Sequence, residues 1–229
     1  MMRVFIGKVR ETDMGFPSAI FKSEVFGELW LGENGLEGDE QASGKVHGGP
    51  ERALLHYSSL HYDWWKKRYP KKGSMFAPAL FGENLSDPRW HEKNVCIGDI
   101  FRWGDAVIQV SQPRSPCYKL TYRTGCDAMA LVMQQQARCG WLYRVLRTGT
   151  VGANMPFRFQ ERVSSVTIHE IMSVMFGTES EEPSMNPDDW QALSETKGLS
   201  ERWQNTLRKR IGSGRIESWD ARLLGTGIL

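Results

Sequence analysis

The chain is predicted to be a mainly β protein with helices, ending in a small three-helix appendix, and three observations carry that expectation. Short segments rich in β-branched and aromatic residues, divided by glycine or proline turns, fill the first two thirds of the 229 residues. One stretch, "DIFRWGDAVIQVSQ", has the signature of a hairpin, because Gly104-Asp105 separates two runs in which successive side chains face opposite ways. After residue 162 the strand-like segments give way to short helical ones set among turn residues.

The strand candidates, in order, are "RVFIGKV", "SAIFKSEVF", "RALLHY", "DIFRW", "AVIQVSQ" and "WLYRVL". Between them "SLHYDWWKKRY" reads as a helix, with Ser58 or Ser59 as N-cap and cations in the last turn, where they suit the macrodipole. A second helix, "DAMALVMQQQARCG", has Asp127 as N-cap and Gly140 beyond its end. The appendix consists of "TIHEIMSVMFG", "NPDDWQALSETKG" and "LSERWQNTLRKRIGSG". In the middle segment Asn186 is a natural N-cap, Pro187 fits the first helical position, Asp188 and Asp189 favour the dipole, and Gly198 closes the end. The expected division is a β domain over residues 1–162 and a small helical domain over 163–229.

Composition narrows the class. With 40% hydrophobic and 24% charged residues, the chain is long enough to bury a sizeable core. A net charge of +2 does not make a nucleic-acid polymer or a membrane surface the main partner, since both call for a concentrated basic field. The mixed aromatic and basic run "WWKKRYPKK" reads first as the solvated end of an amphipathic helix. No cleavable leader or membrane span is evident, so a cytoplasmic location is expected. Cys96, Cys117, Cys126 and Cys139 form no CxxC pair and are expected as free thiols, Cys96 and Cys139 as small buried hydrophobes.

Cys117 is different. In "SQPRSPCYKL" it follows the second of two prolines and lies between Arg114 and Lys119. Pro113 and Pro116 must end the hairpin's second strand and hold residues 114–117 extended, which places the thiol at the rim of a sheet or barrel. Two glycine-rich stretches, "GLEGDEQ" and "KVHGGPERA", interleave Asp39, Lys45, His47 and Arg52 with conformationally free backbone. They are read equally as tight turns between strands or as a nest that offers amides and cations to an anion such as a phosphate. In "FGENLS", Asn84 is suited to pin its loop through side-chain-to-backbone bonds.

Together "GLEGDEQ", "VHGGPERAL", "FGENLS", "IGDIFRWG", "SQPRSPC" and "WLYRVL" resemble, in order, the motifs of the MOSC family, named for the molybdenum cofactor sulfurase C-terminal domain, and of its YiiM-type branch. The resemblance implies a mixed β-barrel of mainly antiparallel strands with peripheral helices, followed by a small three-helix domain. It also implies binding of the molybdenum cofactor, with Cys117 as thiolate ligand to the metal. Lys45, His47, Arg52 and Arg114 with the Gly48-Gly49 backbone are then candidates for gripping the pterin and its phosphate, and Asn84 joins them as a cofactor-binding candidate. Cationic neighbours and a metal both favour the thiolate.

The activity implied is reduction of N-hydroxylated compounds, among them hydroxylamino base analogues such as 6-hydroxylaminopurine, with Cys117, Asp39 and His47 as catalytic candidates. Asp39 or His47 would supply protons, although Asp39 equally suits a bracing role in its turn. Tyr57 or Tyr118 is available to stack on a purine. The chain has no flavin or nicotinamide fingerprint, so a separate flavoprotein or ferredoxin-type donor is expected, steered by "WWKKRYPKK" or "RKRIGSGR". Two other readings stay open: a sulfur carrier using a Cys117 persulfide, and a non-catalytic carrier of the cofactor. A homodimer is compatible with all three.

Overall fold

The predicted hairpin forms near one edge of the main sheet. β7 (Ile100–Trp103) and β8 (Ala106–Pro113) pair antiparallel with Trp103 opposite Ala106, in a computed structural model that describes residues 2–13, 15–42 and 48–225. Gly104 takes a φ of 54°, and a Cβ at that position would lie 2.5 Å from the Thr150 carbonyl oxygen, so the turn requires glycine twice over. Alternation follows: Phe101 and Trp103 are buried while Arg102 is exposed.

β8 pairs on its other side with β9 (Trp141–Arg147), which pairs with β5 (Leu54–Ser58). The sheet reaches eight strands through β6 (Leu85–Asp87), β1 (Arg3–Ile6) and β2 (Ser23–Val25) on one side and β11 (Phe157–Glu161) on the other. It is mixed, because β5 and β6 run parallel while its other pairs are antiparallel, and it curls into a half-barrel. A second sheet joins β10 (Gly149–Gly152), β3 (Glu28–Gly32) and β4 (Gly35–Leu36). β3, β4, β6, β10 and β11 lie outside the sequence-based strands. They are two to five residues long, too short for alternation to mark them, and pairing with neighbouring strands defines them.

The peripheral helices correct several expected ends. α1 (His61–Arg68) has Leu60 as its N-cap, because Ser58 completes β5 and Ser59 gives the helix its carbonyl, to the Tyr62 amide, while its own amide donates to the Asp87 carbonyl. α2 (Lys119–Thr124), starting two residues after Cys117, has no counterpart in the expected elements. α3 (Met129–Gln135) starts after Ala128 rather than Asp127 and ends at Gln136, not Gly140. Gly140 instead serves the sheet: with a φ of 74°, its Cβ would lie 2.2 Å from the His56 carbonyl oxygen of β5.

The three helices of the appendix form as α4 (Ile168–Phe176), α5 (Pro187–Ser194) and α6 (Glu201–Ser213), and a short fourth, α7 (Asp220–Leu223), follows. Asn186 caps α5 by accepting from the Asp188 amide at 3.1 Å. Thr167 and Glu170 form a reciprocal capping box at the start of α4, a T-x-x-E signal plain in the sequence. The unit is stitched to the sheet by backbone bonds, Ile97 N to Val166 O, Ile168 N to Val95 O and Ser200 N to Ser111 O. One apolar cluster, including Ile97 and Val110 with Met172 and Leu207, runs through both parts. Among the described residues no helix is long and apolar enough to cross a membrane.

Candidate functional site

β8 ends at Pro113, and residues 114–117 run as the non-helical loop that the two prolines require. The half-buried Cys117 faces a cavity of about 490 Å³, within the usual range for small-molecule and cofactor sites. The thiol loop is clamped from the far end of the chain. Arg222 on α7 donates through Nη1 to the Pro116 carbonyl at 2.6 Å, and its own carbonyl accepts from the Tyr118 amide at 2.8 Å, so both neighbours of Cys117 are held by one residue. Nη2 of Arg222 donates to Gln134 Oε1 at 2.6 Å. Burial lowers the Arg222 pKa against the pull of Cys139, Cys117 and Glu217, which places a desolvated cation beside the thiol.

One wall of the cavity is a closed polar network around Asp39. Its carboxylate accepts from the Gly7 amide at 2.7 Å, from Asn84 Nδ2 at 2.7 Å and from the Lys22 ammonium, and the Asp39 and Lys22 side chains are only 4% and 6% exposed. Burial lowers the Lys22 pKa, opposed by Asp39. Asn84 spends its remaining capacity on backbone, accepting from the Leu55 amide at 3.0 Å and donating to the Phe5 carbonyl at 3.2 Å. The pair therefore locks β1, β5 and the turn after β4 together. Gly82 beside it has a φ of 78° and lies against Ile20, which explains the glycine of "FGENLS".

A second group of lining residues is cationic and keeps polar atoms without partners. Arg114 lines the cavity with its Nη1 buried and without a hydrogen-bond partner, and the Gln112 Oε1 atom is likewise buried and unpartnered. Lys119 reaches the same space, its ammonium 4.4 Å from the centre of the Phe16 ring. Arg52, at the end of a 3₁₀ turn over Pro50–Arg52, faces Arg202 from α6; burial, then the Arg202 charge, push its pKa down to about 10. The carboxylates in the lining are already held: Asp39 by Lys22, Glu40 by Lys8 and Glu217 by Arg210. Among the described residues, Arg114, Lys119, Arg202 and Arg222 make no ion pair with a carboxylate, so the cavity carries a surplus of positive charge suited to an anionic ligand.

Of the sequence-derived site residues, Cys117, Arg114, Arg52, Asp39 and Asn84 all meet at this cavity. Asp39 and Asn84 do so as bracing groups with their polar atoms engaged, the structural alternative for each. Gly49 caps the 3₁₀ turn with a φ of 97°, and neither it nor Gly48 is among the described lining residues. Lys45 and His47 lie outside the described residues. Tyr57 is fully buried, its hydroxyl accepting from Trp65 Nε1 at 2.6 Å, and Tyr118 packs edge-on against Phe16 and Tyr122, so neither is among the described lining residues. Trp65 belongs to the core, which leaves "WWKKRYPKK" as the solvated helix end; Arg210, counted in the basic "RKRIGSGR" run, is 1% exposed and bound to Glu217.

Sequence reasoning missed Lys22, Gln112, Arg202, Trp203, Trp219 and Arg222. Most of these belong to the appendix, and no local pattern in three short helices shows which face turns toward a loop 100 residues earlier. Among the described residues no group of three or more histidine, cysteine or acidic side chains gathers to hold a metal, so a metal at Cys117 needs ligands of its own.

The model of the MOSC domain matches residues 43–158, and that of the YiiM-like, 3-alpha helix domain matches residues 166–214. The chain is 47% identical over 222 residues to protein YiiM of Escherichia coli (strain K12), covering 97% of each chain. The crystal structure of YiiM from Escherichia coli superposes with a TM-score of 0.79 at 41% identity, covering 97% of this chain and 98% of the other. A protein named "Reductase" from Gibberella moniliformis is 36% identical over 154 residues, 66% of this chain and 27% of the fungal one.

Proposed function

Because the chain belongs to the MOSC family, in its YiiM-type branch, we propose that the cavity binds the molybdenum cofactor and that the protein reduces N-hydroxylated compounds, hydroxylamino purines among them. The observation that carries this reading is the cationic, unpartnered part of the lining around Cys117. A half-buried thiol faces a cavity together with a surplus of cations, and two buried polar atoms there, Arg114 Nη1 and Gln112 Oε1, lack partners. Buried polar atoms in native proteins are nearly always satisfied, and a pterin bearing a phosphate offers both acceptors and donors.

In this reading Cys117 supplies a thiolate to the metal, and Arg222 holds the loop on both sides of it. Arg52, Arg114 and Lys119 hold the anionic and polar parts of the cofactor, with Arg202 as a further cation from α6. The cofactor, when bound, supplies a metal centre that passes between oxidation states two electrons apart. The reaction R–NHOH + 2e⁻ + 2H⁺ → R–NH₂ + H₂O breaks the N–O bond and requires both electrons from outside the chain. A separate flavoprotein or ferredoxin-type donor provides them, steered by the exposed Lys66, Lys67 and Arg68 at the end of α1. The fungal relative's name and the family's association with this cofactor support the assignment.

The test is reduction of 6-hydroxylaminopurine by a strong artificial electron donor, with protein from a molybdenum-competent host. Turnover in the wild type and its loss in Cys117→Ser is the expected result. Metal-free wild type that forms a Cys117 persulfide, or metal-loaded wild type without turnover, overturns the reductase reading.

A further inference from the structure

Among the described residues, four aromatic side chains line the cavity: Phe81, Phe176 on α4, Trp203 on α6 and Trp219 just before α7. Phe81, Phe176 and Trp203 are 0%, 8% and 5% exposed, so their faces are already spent on packing. Trp219 is half-buried, so part of its ring surface stays open where it lines the cavity beside its T-shaped contact with Phe176, at 5.1 Å and 80°.

This indole is held in place. Its Nε1 donates to Glu217 Oε1 at 3.1 Å, and both Glu217 oxygens accept from Arg210, at 2.9 Å from Nε and 2.8 Å from Nη2. Arg210 is almost fully buried and donates its remaining group to the Met175 carbonyl at 2.9 Å. On the other side, the Trp219 carbonyl accepts from the amides of Arg222 at 2.9 Å and Leu223 at 2.8 Å. Arg222 is the residue that clamps Pro116 and Tyr118. The indole and the thiol loop are thus joined through a single helical turn, and their separation is fixed by hydrogen bonds rather than by loop flexibility.

We propose that Trp219 is the surface on which a planar heteroaromatic substrate stacks, so that the helical appendix supplies the substrate side of a site whose cofactor side comes from the sheet. The proposal rests on the reductase reading for its substrate class. An indole with two side-chain torsions, locked by a hydrogen bond, loses little entropy on stacking and accepts any π-face. The ring then lies flat against Trp219 with its exocyclic N–OH directed toward Cys117. An N-hydroxylated compound without an aromatic ring makes no use of this surface.

The experiment compares wild type, Trp219→Ala and Trp219→Phe as holoproteins, with 6-hydroxylaminopurine and N-methylhydroxylamine as substrates and adenine, the purine product, as a binding probe in calorimetry. Trp219→Ala is expected to raise KM for the purine by about tenfold or more with kcat within about twofold, and to weaken adenine by a similar factor. The kcat/KM for N-methylhydroxylamine should stay within about twofold, and Trp219→Phe should recover most of the purine affinity. Equal losses for both substrates, or unchanged purine KM and adenine affinity, overturn the proposal. The two readings fail separately. Adenine binding lost in Trp219→Ala without turnover of either substrate by wild type removes the reductase and keeps the stacking surface. Reduction of N-methylhydroxylamine by a wild type that does not bind adenine does the reverse.

Discussion

Two walls of one cavity treat their polar atoms in opposite ways. Around Asp39 the donors meet acceptors: Lys22, Asn84 and the Gly7 amide converge on one carboxylate, and Asn84 closes the network onto β1 and β5. In another part of the lining, Arg114 and Gln112 each keep a buried polar atom with no partner, in a cavity shared with a half-buried thiol. Groups satisfied within the protein are spent on folding, whereas groups left unmatched in a space that a ligand can enter remain available for binding.

The largest expected effect lies on the satisfied wall. Asp39→Ala leaves the Lys22 ammonium buried without its partner, and the loss of folding stability in urea titrations should be about 3–5 kcal/mol. Adding Lys22→Met should restore a large part of it. If Asp39→Ala instead leaves stability intact and abolishes only catalysis, the assignment of this wall to bracing is wrong.

The unmatched wall should respond the other way. Arg114→Met removes a group whose Nη1 bonds nothing, so stability should change by about 1 kcal/mol or less. Loss of a charge-assisted hydrogen bond worth about 1.5–3 kcal/mol should weaken cofactor retention by tenfold or more, read as molybdenum remaining after gel filtration.

His56 sharpens the contrast, because its Nε2 is also buried and unpartnered but it does not line the cavity. Burial pushes its pKa down to about 3, opposed by Asp87 and Glu92. The unfolded chain takes up this proton below pH 6.5 and the folded chain does not until about pH 3, so stability is lost as pH falls through that window. The slope should approach 1.4 kcal/mol per pH unit, at most about that from this one group, and flatten in His56→Phe. Cofactor content at neutral pH should be the same in both.

Much of the fold was legible, and for identifiable reasons. The Gly104-Asp105 hairpin, the proline-stiffened loop and the Asn186 cap are local devices whose residues act on near neighbours. Gly140 was misjudged because its constraint is a close approach to β5, far away in sequence. In the site, Cys117 and Arg114 were visible through their flanking prolines and charge. Arg222 and Trp219 were not, since their meaning comes from α7 folding back onto the thiol loop. The Asp39 role could be narrowed only by seeing the Lys22 ammonium, which sits in a segment that reads simply as strand.

The central claim is that Cys117 holds a molybdenum-bearing cofactor within the unmatched wall. Elemental analysis of protein made in a molybdenum-competent host tests it most directly, with about one molybdenum per chain expected in the wild type and a large loss in a Cys117→Ser variant of unchanged melting temperature. Wild-type protein without molybdenum, or a Cys117→Ser variant that retains the full amount, would contradict it.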